Sequence, residues 1–184
     1  FRSKSRNFEP KASIVIPTYN EERNIDDCLK SVFSLNYPKD KVEVIVVDDG
    51  STDETLKILR KYKNAKFVRQ VHLGKVEALN NGVLNASYDF VLTVDADTTL
   101  DKNCLKELIK PFLDKEIGAT TGNNHVKNQQ TILSVFQNIE YQFSNLMRSS
   151  FSKVFKNGIW FSGSLACYRK DALNKLGHFK KDTL

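Results

Sequence analysis

The sequence is poor in cysteine. Cys28, Cys104 and Cys167 lie far apart, are odd in number and form no CxxC pair. They fit a reducing compartment better than a disulfide framework or a structural zinc site. No apolar run approaches the roughly 18 residues needed to cross a bilayer, and mean hydropathy is -0.41. Glycine and proline are sparse, at 8 and 4 of 184 residues, which excludes collagen-like and low-complexity chains. GxGxxG is absent, and so is the GxxxxGK spacing of a P-loop, so neither nucleotide fingerprint is present. Neither sign of charge dominates: 28 basic against 22 acidic residues leave +6. The basic residues are dispersed and do not alternate with aromatics, which argues against a nucleic-acid partner. His72, His125 and His178 are scattered, pair with no metal ligand at helical spacing, and read as structural or solvent-exposed. No Ser-His-Asp arrangement can be placed.

What remains is an ordinary globular composition, 40% hydrophobic and 27% charged, in a chain long enough to bury a core without covalent staples. Residues 1–11 form a basic lead-in, with Arg2, Lys4, Arg6 and Lys11 against the single Glu9. Residues 12–184 read as one domain. A lead-in of this kind suits a cytoplasmic membrane face, and equally a frayed terminus. The chain opens on Phe1 rather than Met and shows no targeting segment. It is therefore read as a soluble piece of a longer protein whose anchor lies elsewhere.

Short β-branched runs alternate with helical periodicity. Strands are expected over residues 13–17, 42–47, 66–71 and 90–94. Between them, Ile25, Cys28, Leu29, Val32 and Phe33 mark one helix face. Ser51-Thr52-Asp53-Glu54 has the form of a capping box opening a helix through Leu56, Leu59 and Tyr62. Another helix is expected over 75–86, and a further one carries Leu105, Leu108, Ile109 and Phe112. Residues 118–126 read as strand and turn. Ile132, Phe136, Ile139, Phe143, Leu146 and Met147 mark a long amphipathic helix, expected to pack on the core because its polar face lacks Lys and Arg. An apolar run to Tyr168-Arg169 and a short helix through Leu173 complete the pattern. Such alternation predicts an α/β domain with a mainly parallel central sheet flanked by helices.

In sheets of this kind ligands sit beyond the carboxyl ends of the strands. Three polar clusters fall there: Thr18 to Glu21, Asp48 to Ser51, and Asp95-Ala96-Asp97. Asp95 and Asp97 cannot both enter the buried side of a strand, so they should face the crevice. There they could hold Mg²⁺ or Mn²⁺ together with phosphate oxygens, or cap a helix. Asp48 and Asp49 could bind metal, accept from a nucleobase imino group, or cap a turn. Tyr19 could stack on a base or be a half-buried loop residue. Gly74-Lys75 opens a helix, where backbone amides and an ammonium could meet phosphate.

Pro17 to Glu22, Val46 to Ser51, Gly74-Lys75 with Ala78-Leu79-Asn80, and Asp95-Ala96-Asp97 occur in this order. Together they resemble the family 2 inverting glycosyltransferases of GT-A fold. Gly122-Asn123, Phe161 to Ser164 and Tyr168-Arg169 resemble its processive membrane branch of poly-N-acetylglucosamine, hyaluronan, chitin and cellulose synthases. The resemblance implies a hexosyltransferase that takes a UDP-sugar, expected to be UDP-N-acetylglucosamine. It would pass the sugar with inversion to a growing polysaccharide or another hydroxyl. It implies Tyr19 near the uracil, Glu21 near base or ribose, and Asp49 or Asp48 bonding the uracil. Lys75 would lie near the phosphates, Asp95 at ribose or diphosphate, and Asp97 on Mg²⁺ or Mn²⁺. Ser162 and Gly163 would line the acceptor end. The family's general base, an aspartate in a Glu-Asp motif, is expected beyond Leu184, and Asp182 is not assigned that role. These residues alone are thus expected to bind donor without polymerising sugar. The whole protein is expected at the cytoplasmic face of the membrane, through segments not included here.

Two alternatives stand beside this. Asp95-Ala96-Asp97-Thr98-Thr99 matches the DxDxT motif of haloacid-dehalogenase-type phosphatases, with Asp95 attacking phosphorus and Asp97 as acid/base. A catalytically idle nucleotide-binding module is the other.

Overall fold

The computed structural model describes residues 8–123, 132–155 and 163–180. Apolar, β-branched runs form the centre of the sheet: β1 (Ala12–Thr18), β2 (Val42–Asp48), β3 (Lys66–Arg69), β4 (Phe90–Val94), β5 (Ala119–Thr121) and β6 (Leu165–Arg169). The helices are α1 (Ile25–Phe33), α2 (Thr55–Leu59), α3 (Lys75–Asn85), α4 (Cys104–Ile109), α5 (Ile132–Phe155) and α6 (Lys170–Leu176). Strand order is β3-β2-β1-β4-β6-β5. β1 pairs in parallel with β2 and β4, and β2 with β3. β6 runs antiparallel to both β4 and β5. The expected mixture of parallel strands and flanking helices is therefore present, with β6 reversing direction beside β4.

Side-chain alternation along the strands builds a core on each face of the sheet. Ile14, Ile16, Val44, Val46, Leu92 and Val94 pack with Leu29 of α1 and Leu105, Ile109 and Phe112 on one side. Val15, Ile45, Val47 and Val91 pack with Ala78, Leu79 and Val83 of α3 on the other. This double burial explains why β1, β2 and β4 are largely apolar on both faces rather than alternating. Of the basic lead-in, residues 8–11 lie on the domain: Phe8 meets Phe90 edge-on at 6.3 Å. Lys11 Nζ lies 5.4 Å from the centre of the Tyr88 ring.

Two expectations are corrected. The helix predicted from Ser51-Thr52-Asp53-Glu54 begins only at Thr55, and Ser51 is no cap. The Ser51 hydroxyl instead accepts from Asn20 N at 3.0 Å, while Asp53 Oδ1 accepts from Thr55 N at 3.0 Å. The long helix α5 does not pack on the core. Leu133, Phe136, Ile139, Phe143 and Leu146 are all exposed, between 56% and 77%. Both faces of the sheet are already covered, and among the described residues neither core cluster includes one from α5.

α3 approaches the sheet closely because Gly82 has no side chain. A Cβ there would lie 2.2 Å from Val15 Cγ1. An Ala in mid-helix normally gains up to about 1 kcal/mol over Gly. Here overpacking reverses the sign, and Gly82→Ala should destabilise by about 1–3 kcal/mol. A double-mutant cycle with Val15→Ala checks this: the pair should be more stable than the sum of the two single losses. A Gly82→Ala protein that melts higher than wild type would refute the close approach.

Candidate active site

The carboxyl ends of β1, β2 and β4 lie side by side at the point where the chain order of the strands reverses, the usual ligand position in such sheets. The loops leaving them are tied to each other. Asn20, held at a positive φ of 53°, accepts from Thr52 N through Oδ1 at 2.8 Å. Glu21 N donates to Thr55 Oγ1 at 2.8 Å, and Asp49 N to the Thr18 carbonyl at 2.9 Å. The first two loops are therefore tied into one hydrogen-bonded unit.

Between them is a cavity of about 270 Å³ lined by Thr18, Tyr19, Glu21, Asp49, His72, Lys75, Asp95 and Asp97, among others. Six of the seven positions proposed for the donor nucleotide and metal meet here. The seventh, Asp48, does not line it. Its side chain is buried, accepts from Ser51 N at 3.2 Å and lies 3.3 Å from Arg69 Nε. It holds the turn after β2 rather than facing the cavity.

Asp49 is buried and accepts from Gln70 Nε2 at 2.7 Å, Leu73 N at 2.9 Å and Gly74 N at 2.9 Å. His72 Nδ1 lies 2.8 Å from its Oδ2. Burial pushes the carboxyl up, but Leu73 N–H, the Gln70 amide, Gly74 N–H and the His72 ring outweigh it and hold the group below the ordinary 3.8. The Gly74 N–H expected to meet phosphate is thus taken by Asp49. Tyr19 stacks on His72 with ring centroids 4.0 Å apart. Lys75 Nζ and Asp95 Oδ1 form an ion pair at 2.6 Å. Thr18 Oγ1 is buried with no hydrogen-bond partner among the described residues, an unsatisfied hydroxyl at the cavity wall.

Asp95 and Asp97 also border a second cavity of about 800 Å³, which runs past Glu107, Gly122 and Asn123 to Gln137 and Tyr141 of α5 and to Ser164. Of the two residues expected at the acceptor end, Ser162 lies outside the described residues. Gly163 does not line either cavity, although its neighbour Ser164 does. Cys28 lies beneath the carboxylates. Burial, followed by the charges of Asp97, Asp95 and Glu21, pushes its thiol up to about 12, so it is inert floor rather than nucleophile. A separate groove of about 820 Å³ between α1 and β2 carries no carboxylate, so it offers nothing for a metal.

The donor set around Asp97 suits a hard divalent cation. Asp97 is exposed, and Thr98 Oγ1 at 3.4 Å is its one hydrogen-bond partner among the described residues. No cluster of three or more metal-ligating side chains exists among the described residues. The remaining ligands would therefore be diphosphate and water oxygens, the mixture Mg²⁺ and Mn²⁺ accept.

His72 and Gln70 were missed in the sequence, where His72 read as structural or exposed. The signal was available: the carboxyl-end rule applied to β3 as well as to β1, β2 and β4 points at residues 70–72.

An open α/β sheet with an acidic Asp-x-Asp at the end of β4 and an aromatic-carboxylate pocket beside it defines the GT-A class of nucleotide-sugar folds. The glycosyl transferase family 2 model matches residues 13–177, and the chain belongs to that family. It is 36% identical over 179 residues to the poly-β-1,6-N-acetyl-D-glucosamine synthase of Staphylococcus epidermidis, with 94% of this chain covered. The Staphylococcus aureus synthase is 35% identical over the same length. The chain spans 42% of the length of these curated relatives. Among solved structures, the mannosyltransferase PcManGT from Pyrobaculum calidifontis, in complex with GDP-Man and Mn²⁺, aligns with a TM-score of 0.78 at 30% identity. That alignment covers 95% of this chain and 49% of PcManGT. S. aureus TarS 1-349 in complex with UDP-GlcNAc aligns at 0.66 and 26%, over 92% of this chain and 48% of that 1-349 chain. Membership of this family leaves the phosphatase reading without support.

Proposed function

We propose that this domain binds a UDP-sugar, UDP-N-acetylglucosamine in the first instance, with Mg²⁺ or Mn²⁺, and serves inverting transfer of the sugar to a saccharide hydroxyl. The observation that carries this reading is the convergence of Tyr19, Asp49, Lys75, Asp95 and Asp97 on one cavity at the strand ends. The relatives named as poly-N-acetylglucosamine synthases and the TarS complex with UDP-GlcNAc support the choice of donor.

In this reading Tyr19 supplies the base-stacking surface and Asp49 an acceptor for a base N–H, with Glu21 close to base or ribose. Lys75 is shared between Asp95 and the diphosphate, and Asp95 reaches ribose or diphosphate. Asp97 is the protein ligand of the cation. When bound, the cation neutralises charge on the departing diphosphate. The chain's own contribution is to hold the donor in line for attack from the opposite face. The second cavity, beside Gly163, takes the acceptor sugar. The exposed apolar row of α5 and the basic lead-in support placing the whole protein at the cytoplasmic membrane face. Among the described residues no helix is long and apolar enough to cross it.

A thermal-shift titration with UDP, GDP and phosphate, with and without Mn²⁺, tests the donor site on wild type and Asp97→Ala. GDP is included because PcManGT was solved with GDP-Man. At a ligand concentration about 100 times Kd, binding adds about 2.7 kcal/mol and raises Tm by several degrees. The expected pattern is a UDP response that needs Mn²⁺ and disappears in Asp97→Ala. A response to phosphate with none to UDP would sink the proposal.

A further inference from the structure

The nucleobase end of the donor cavity already holds a flat ring and a hydrogen-bond donor, both from this chain. The His72 imidazole lies on the Tyr19 ring at 4.0 Å, with the planes 23° from parallel. Its Nδ1 is 2.8 Å from Asp49 Oδ2 and 3.2 Å from the Asp49 carbonyl oxygen. Both of these atoms are acceptors, so Nδ1 must carry the proton between them.

A carboxylate offers about four lone-pair positions. At Asp49, Gln70 Nε2 and Leu73 N take Oδ1, while Gly74 N and His72 Nδ1 take Oδ2. The donors are therefore as many as the places. Leu73 and Gly74 donate from backbone. The Gln70 amide is locked from its other end by Asn81 Nδ2 at 2.8 Å. The His72 side chain is 55% exposed and is the one donor of the four that can leave by rotation about its own bonds.

The geometry points to His72 as a stand-in for the nucleobase, one that a base must displace to reach Tyr19 and Asp49. This rests on the reading of those two residues as base-binding groups. Displacement removes one stacked ring and one N–H donor, so only a base that brings both restores what is lost. Uracil and guanine each present a ring imino N–H to a carboxylate. Cytosine and adenine present a bare ring nitrogen at the corresponding position, lone pair against lone pair. His72 thereby penalises every base, and the imino-bearing bases alone offset the penalty. The donors named in the complexes of PcManGT and TarS, GDP-Man and UDP-GlcNAc, both carry such bases.

The test is calorimetric titration of UDP and CDP, with Mn²⁺ present, into wild type, His72→Ala and Tyr19→Ala. With the stand-in removed, His72→Ala should bind UDP about tenfold more tightly. CDP should gain less, because the freed carboxylate position does not suit it. Tyr19→Ala should weaken UDP about tenfold through lost stacking. In wild type, the His72 ring-proton resonances, shifted by the Tyr19 ring, should move toward those of an unstacked imidazole on addition of UDP.

The outcomes separate. If Tyr19→Ala weakens UDP but His72→Ala leaves it unchanged or weaker, the base site stands. His72 is then a backing for the platform, and the stand-in is overturned. UDP-independent His72 resonances overturn it as well, without reliance on a variant. If UDP binds Tyr19→Ala as it binds wild type, the base-site reading itself fails and takes the inference with it.

Discussion

Asp49→Ala should lose UDP binding by about a hundredfold or more and unfold at a visibly lower temperature. The affinity loss combines a charge-assisted hydrogen bond to the base with collapse of the pocket that presents it. The stability loss follows from the donors gathered on a buried carboxylate. Removing it leaves Leu73 N, Gly74 N and the Gln70 amide without their acceptor. It also loosens the chain of amides from Gln70 through Asn81 to Asn85. A cost of about 2–4 kcal/mol is the expected scale, since a network partly satisfied is worse than one never formed. Asp49→Ala with wild-type UDP affinity would remove Asp49 from the base site.

The same carboxyl has a pH signature. Its folded pKa lies below the ordinary 3.8, so its contribution is fully present above that value and is lost as pH falls through the folded pKa. Asp26 and Asp53 are lowered too: Asp26 by the Lys30 and Tyr62 side chains, and Asp53 because hydrogen bonds from Thr55 outweigh its burial. Both add to acid sensitivity in the same window, below about pH 4. Asp49→Asn, which cannot titrate, should flatten the acid limb of the Tm profile while leaving its neutral-pH slope alone.

How much of this was readable from the residues depends on whether the information is local. The strand at 42–47 is found at Val42–Asp48, and Phe90–Val94 is found as expected, because short apolar runs rich in β-branched residues and too short for a helix favour buried strands. The reversed direction of β6 could not be read, since alternation has the same period in either sense. The start of α2 was misplaced because Ser51 and Glu54 satisfy a local capping pattern whose hydroxyl is claimed from thirty-one residues away, by Asn20. For α5 the helical period correctly marks one apolar face but carries no information on what covers it, and the sheet had no uncovered face left to offer. The site divides in the same way. Tyr19, Asp49, Asp95 and Asp97 stand at strand ends in the sequence itself, and Lys75 at the start of a helix. Asp48 was set beside them by adjacency alone, and the alternation of a strand sends it to the opposite side from Asp49. Gln70 and His72 follow the end of β3, where the same rule points, but their contacts with Asp49 and Tyr19 are long-range and show only in the fold.

Arg169 shows the same division from the other direction. In the sequence, Tyr168-Arg169 stands among the strings that resemble the processive branch, with no role assigned to Arg169 itself. In the fold its guanidinium donates to three main-chain carbonyls: from Nε to Ile117 O at 2.8 Å, and from Nη2 to Phe112 O at 2.7 Å and Asp114 O at 3.0 Å. It also lies 5.3 Å and 5.2 Å from the ring centres of Phe90 and Phe112. One planar cation thus fastens the segment between α4 and β5 to the end of β6, and the fork geometry is what lets it reach all three carbonyls. Arg169→Ala leaves those carbonyls without their donor and removes the cation from both rings, an expected loss of about 3 kcal/mol. For a chain of this size that lowers Tm by roughly 6–12 °C. Arg169→Lys should recover little, because a single ammonium cannot span the three acceptors. The decisive comparison is with UDP affinity in Arg169→Lys, measured below its melting temperature. A structural clamp remote from the donor cavity predicts a lower Tm with unchanged affinity. A weakened UDP or UDP-GlcNAc affinity at full thermal stability would instead give Arg169 a part in donor binding.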